Sequence, residues 1–170
     1  MDSVGKLVAI IIGVVLLFLA PIQSISQKQD SISQIVVDNE TANFVDSIMY
    51  SGYISKEMYI TFLKKLEKTG NIYKITLCHS RKQVTPGLSD ESHVIQGEYD
   101  VHYINVYEDE IMESFNNGDD YTMNQGDYIS VKVVNRNKTI GSKVMSALTF
   151  VNVDNKIITT YGGMIRDAVD

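Results

Sequence analysis

The stretch LVAIIIGVVLLFLA, Leu7 to Ala20, decides how the rest of the chain is read. It holds no charged, amide or hydroxyl side chain, is preceded by Lys6 and is closed by Pro21. A helix that spans a bilayer needs about 20 largely apolar residues. Counted from Val4 to Ile25, with Lys6 snorkelling at one end and Gln23 and Ser24 at the other, the segment reaches that length. Leu7, Ile10, Ile11, Ile12, Val14, Val15, Leu16, Leu17, Phe18 and Leu19 are therefore expected to form a membrane anchor, with the lipid bilayer as a partner. A cleaved secretory signal peptide is the competing reading, since one positive charge, a short apolar core and the small residues Ser24 and Ser26 fit that pattern too. The anchor is preferred because the first residues are poor in positive charge and helical periodicity continues beyond Ser26. Both readings place the remainder outside the cytoplasm, although Lys6 and Lys28 flank the segment on opposite sides and give little positive-inside direction. The expected layout is a single-pass protein of the cell membrane. Residues 1–26 form the anchor, and residues 27–170 form an extracytoplasmic α+β domain that opens on an amphipathic helix.

Composition narrows the partners. The net charge is −6, and no basic cluster exceeds the pairs Lys64-Lys65 and Arg81-Lys82, so no nucleic-acid partner is expected. Cys78 stands alone, which excludes an internal disulfide. Two glycosylation-type triplets, Asn39-Glu40-Thr41 and Asn137-Lys138-Thr139, are read as chance occurrences.

Beyond the anchor, Ile25, Ile32, Val36, Val45 and Ile48 sit at spacings compatible with one stripe of a helix ending near Gly52, and Pro21 is the expected bend. The face of Ile32, Val36, Phe44, Val45 and Ile48 is expected to pack on a sheet or on neighbouring subunits. Ser55 suits the N-cap of a second helix reaching Lys68, with Met58, Tyr59, Phe62, Leu63 and Leu66 inward and Gly70 as left-handed cap. Strand patterns cover Ile72 to Leu77, Glu98 to Val106, Ile129 to Val134 and Ile157 to Tyr161, the last broken by Gly162-Gly163. Lys82 to Gly97 reads as a polar loop around Pro86-Gly87, and Asn116 to Asp120 as another. A short acidic helix, Glu108 to Phe115, turns Ile111, Met112 and Phe115 inward, and Thr139 caps a helix with Ile140, Val144, Ala147 and Leu148 on its packing side. The fold class is α+β: a long N-terminal helix, apolar then amphipathic, followed by a small antiparallel sheet of about four strands with covering helices. A parallel doubly wound sheet is the alternative.

The search for chemistry returns no catalytic, cofactor or metal site. His79, His93 and His102 lack the spacing of a helical metal site, and Cys78 and His79 point to opposite faces of a strand. The acidic runs at Glu108 and Asp119 lack the calcium-loop pattern, and no phosphate-binding glycine loop is present. No enzymatic activity is expected.

The combination Phe44-Val45-Asp46-Ser47-Ile48, Gly52-Tyr53-Ile54-Ser55-x-Glu57-Met58-Tyr59, Phe62, Leu66, Thr69-Gly70-Asn71 and Tyr73, with Tyr161-Gly162-Gly163-Met164 near the end, resembles small single-pass membrane proteins of bacteria. Those proteins are encoded in clusters similar to Tad-type pilus and type II secretion loci, and look like TadE-type pseudopilins or minor pilins. The resemblance implies a structural or assembly component of an envelope pilus or secretion apparatus, with protein partners in that assembly. The chain departs from the prepilin pattern in having no glutamate between Leu7 and Ala20. A membrane-anchored extracytoplasmic binding module is the alternative function.

Overall fold

A computed structural model describes residues 3–88 and 94–166. Its first element, α1, is one helix from Ser3–Ser51, 49 residues long. At a rise of 1.5 Å per residue that is a rod of about 73 Å. The helix continues through Pro21, whose ring removes a single hydrogen bond, so the expected bend does not end the element. Residue 26, the expected domain boundary, falls inside this helix. Gly52, at φ 73, closes it with its N–H donating to the Ile48 carbonyl at 2.9 Å.

A two-residue strand follows, β1 (Tyr53–Ile54), and then α2 (Lys56–Glu67), whose first turn is capped by Ser55 Oγ accepting from the Met58 N–H at 3.1 Å. Next come β2 (Tyr73–Leu88), β3 (Val94–Tyr107), α3 (Glu108–Asn117), β4 (Tyr121–Thr122), β5 (Tyr128–Asn135), α4 (Ile140–Thr149) and β6 (Ile158–Met164). The main sheet is antiparallel in the order β3-β2-β5-β6, and β1 pairs with β4 in a small antiparallel ribbon. This is the α+β architecture, with all the neighbouring strands antiparallel.

Three expectations are corrected. Residues 82–88 and 94–97 are strand, not loop: β2 and β3 form a long hairpin with Lys82 opposite Tyr103 and Pro86 opposite Tyr99, and only residues 89–93 of that loop lie outside the described residues, along with His93. Asn116 and Asn117 complete the last turn of α3, which ends at Gly118, φ 86. Gly162 and Gly163 do not break the final strand but sit inside β6, paired with Ser130 and Ile129.

The glycine pair has a steric cause. A Cβ on Gly162 would stand 2.7 Å from the Ile129 carbonyl oxygen, and one on Gly163 would stand 2.1 Å from Met49 Sδ on α1. At Gly162 the backbone of β5 leaves room only for hydrogen, whereas Gly163, on the opposite face of the strand, lies beneath the flexible end of Met49 on α1.

One face of the sheet carries Ile75, Leu77, Ile129, Val131 and Val133, all buried. The second half of α1, with α2 and α3, covers that face. Stacking of Phe44 on Phe62, with centroids 4.4 Å apart, and the Tyr59–Phe115 contact at 5.9 Å tie the three helices together.

Candidate functional site: a helix with two environments

The feature that sets this molecule apart is that α1 changes surroundings along its length. From Val4 to Phe18 its large apolar side chains are exposed, Leu7, Ile10, Ile11, Ile12, Val14, Val15, Leu16, Leu17 and Phe18 among them, and Leu19 is half-buried. In water an apolar surface of that extent would drive association. The helix is long and apolar enough to cross a membrane.

From Ser26 onward the same helix carries one buried face. Phe44, Val45 and Ile48 are in the core, as expected, together with Val37 and Met49. As residues packed on the sheet Ile32 and Val36 are corrected, being 55 % exposed and half-buried respectively, and both stay open to a neighbouring subunit, the other use expected of this face. The face that meets the domain is instead Ser26, Ser33, Val37, Thr41, Val45 and Ile48, separated by three, four or seven residues. Small residues occupy its first half because β6 and α4 approach closely there. Ser26 and Ser33 return their hydroxyls to the carbonyls of Ile22 and Gln29, both at 2.9 Å. Thr41 Oγ1, fully buried, has no hydrogen-bond partner among the described residues.

Polar clamps hold the domain to the helix. Gln34 Nε2 donates to Asp38 Oδ1 at 2.8 Å and to Thr159 Oγ1 at 3.1 Å, and Thr159 donates to Asp38 in turn. Asp30 accepts from Thr139 Oγ1 at 2.5 Å and from the Gly141 N–H at 3.1 Å, so a carboxylate on α1 supplements the Thr139 cap of α4. Gly141 is required there, because a Cβ would lie 2.3 Å from Asp30 Oδ2. The expected inner face of α4 is corrected accordingly: Gly141 and Ser142 are buried, Val144 and Leu148 half-buried, and Ile140 and Ala147 exposed.

The titratable groups that come together are His79, Tyr121 and Asp127. His79, 1 % exposed, continues the inward face of β2 below Leu77, while Cys78 points the other way. Its Nδ1 lies 2.8 Å from Tyr121 Oη and its Nε2 lies 2.9 Å from Asp127 Oδ2. Asp127 also accepts from the Lys82 N–H at 2.8 Å and the Asn124 N–H at 2.9 Å. Burial pushes the His79 pKa down, against the opposing pull of Asp127. Burial alone would raise the Asp127 carboxyl, but the two backbone donors and His79 hold it below its ordinary range. A neutral imidazole that donates from Nε2 to the carboxylate and accepts from the tyrosine satisfies every partner. The cluster fastens the β4–β5 turn to β2, and neither ring nitrogen is free for a substrate. Among the described residues no three His, Cys, Asp or Glu side chains converge as metal ligands.

A groove of about 430 Å³ runs between α1 and α2, lined by Phe44, Met58 and Phe62 and crossed by the Lys65–Glu40 ion pair at 2.7 Å. The pair is partly exposed and contributes little. Asn137, in the second glycosylation-type triplet, spends its side chain on the Ile72 N–H and on Asn71, which explains that residue by structure alone.

Comparison with family models, with curated proteins and with solved structures returns no match.

Proposed function

We propose that this chain is a structural or assembly subunit, pseudopilin-like or minor-pilin-like, of a bacterial envelope pilus or secretion apparatus, anchored by the first half of α1 with the domain outside the cytoplasm. The observation that carries this reading is the single helix whose bare apolar half leads without interruption into a half laid on an antiparallel sheet. That division suits a subunit stored in a bilayer and assembled through its helix. The motif residues that resemble TadE-type proteins support it: Gly52 and Ser55 cap helices, Gly70 turns the chain after α2, Phe44 and Phe62 stack, Gly162 lets β6 lie against β5, and Gly163 lies beneath Met49 of α1. The role is non-enzymatic, which fits a buried histidine with both nitrogens engaged.

Photo-crosslinking in the native host tests the proposal, with the photoreactive residue at Ile11 or Ile32. Adducts with further copies of the chain or with another small single-span protein are expected from both sites. Adducts with lipid alone at Ile11 and none at Ile32, in a strain whose pili and secretion survive deletion of the gene, would refute it. The anchored binding module draws on a different observation, the exposed Tyr99, Val101 and Tyr103 on the outer hairpin. It predicts adducts from those positions and none from α1.

A further inference from the structure

Helix α4 and the segment after it leave the body of the domain and come back. Ser142 Oγ accepts from the Asn155 N–H at 2.8 Å, Ser146 Oγ accepts from the Val153 N–H at 2.9 Å and donates to its carbonyl at 3.2 Å, and Ile157 rejoins the sheet through Asn135 Oδ1 at 2.9 Å. Phe150 and Val151 are the tip of this excursion. Its root is the Asp30 latch, with Ser26 buried beneath Gly141.

The direction follows from α1. Gln23 and Leu19 lie on the same helical face as Asp30 and Ser26, one and two turns nearer the N-terminus. Both are half-buried while Ile22, Ser24 and Ile25 beside them are exposed. So α4 runs back along α1 toward the apolar half. From Gly141 to Phe150 the rise is about 13.5 Å, which equals nine residues of α1 and carries the tip from the Asp30–Ser26 latch to the height of Leu19–Pro21. That is where the apolar segment ends.

The tip has the wrong chemistry for water. Phe150 is 95 % exposed and Val151 60 %. Phe150 also takes φ 55 at the end of α4, a left-handed position that glycine fills at least cost. A bulky residue that is strained and touches nothing in its own fold points to a use outside it. Close to the root in sequence are Lys138, Lys143 and Lys156, with Lys28 on the outer side of α1 two residues from the latch, against Asp30 and Asp154. Asp30 is occupied by Thr139 and Gly141, and Asp154 pairs with Lys156 at 3.0 Å. Thr139 and Gly141 are neutral donors and leave Asp30 its charge, so the four lysines against two carboxylates carry an excess of two positive charges in a chain of net charge −6.

We propose that α4 and its Phe150–Val151 tip are a second membrane contact, a wedge set into the headgroup–acyl boundary beside α1, with Lys28, Lys138 and Lys143 facing lipid phosphates. An apolar tip below a basic collar is the pattern of interfacial helices, which seat their apolar side about 5–10 Å into that boundary. The bilayer is the occupant because the tip is continuous with the exposed apolar surface of α1 at the same height. The inference rests on α1 spanning the membrane.

The chain has no tryptophan, so single tryptophans report cleanly. The full-length protein with Phe150→Trp, Phe18→Trp or Tyr99→Trp is reconstituted into vesicles of zwitterionic and anionic phospholipids with brominated acyl chains. Phe150 is exposed, and its replacement leaves the core untouched. Blue-shifted emission that is largely lost to brominated lipid is expected at positions 150 and 18, with position 99 remaining water-like and open to acrylamide. Water-like emission at position 150 with position 18 quenched overturns the wedge and leaves the anchor standing. Emission at position 150 that is blue-shifted but indifferent to brominated lipid also overturns it, since protein then covers the tip. Failure at both positions overturns the anchor and the wedge together.

Discussion

Ile48 and Ile32 lie on one helix in opposite circumstances, and truncating each to alanine tests which face of α1 belongs to the domain. Ile48 is fully buried between the sheet and the helices, so Ile48→Ala removes buried methyl groups and leaves a cavity that close packing cannot fill. The expected cost is about 2–5 kcal/mol, a large part of a domain stability of about 5–15 kcal/mol. Ile32 is 55 % exposed, and Ile32→Ala is expected to stay within about 0.5 kcal/mol. With a urea slope of about 1–3 kcal/mol/M, the two variants differ in midpoint by about 0.5 M or more. Urea unfolding of the full-length protein in detergent micelles, followed by the near-ultraviolet dichroism of its tyrosines, measures the difference. Equal midpoints, or the larger loss at Ile32, would refute the assignment of the buried face. Val45→Asp extends the test: an unpaired carboxylate in the core is expected to unfold the domain, whereas a folded variant that fails only in assembly would move the face to a subunit interface.

Thr41→Val keeps the shape of the side chain and removes a buried hydroxyl without a partner, so a stabilisation of about 1 kcal/mol is expected from the same urea titration. Gly162→Ala places a methyl against the Ile129 carbonyl and is expected to cost about 1–3 kcal/mol, read as a lower thermal midpoint; an unchanged midpoint would show that the strand yields freely. His79 has a folded pKa below its ordinary 6.5, so its contribution is complete above that pH and is lost as the pH falls below it. Asp127, also lowered, loses its share below its ordinary 3.8, in the same direction. Stability should therefore decline from pH 7 to pH 5, and His79→Gln should flatten that decline.

Where a local signal existed, the elements were legible. Ser55 and Thr139 accept the N–H bonds their positions foretold, and β5 buries Ile129, Val131 and Val133 in strict alternation. The outer part of the β2–β3 hairpin was not legible, because Arg81 to Pro86 are exposed and mostly polar and no buried side enforces a period of two. On α1 the large aliphatic residues misled: Ile32 and Ile35 look outward, and the contact face is written in Ser26, Ser33 and Thr41, whose worth is their small size. Glycine read as punctuation at 162 and 163 because its other use, admitting a neighbouring backbone or side chain, depends on what passes above. The His79 cluster joins residues 42 and 48 positions apart, and a lone aspartate in a turn carries no mark of its partner.

The unbroken α1 also fixes an azimuth. Each residue is turned about 100° from the one before, so Val37, wedged in the core, dictates the compass bearing of every side chain back to Val4. Deleting one residue upstream of Leu19 would swing the whole apolar end by about 100° beneath an unmoved head, whereas deleting seven would restore its bearing to within about 20° and shorten it by about 10 Å. The head and the apolar end are thus geared together, and neighbours that grip one set the orientation of the other.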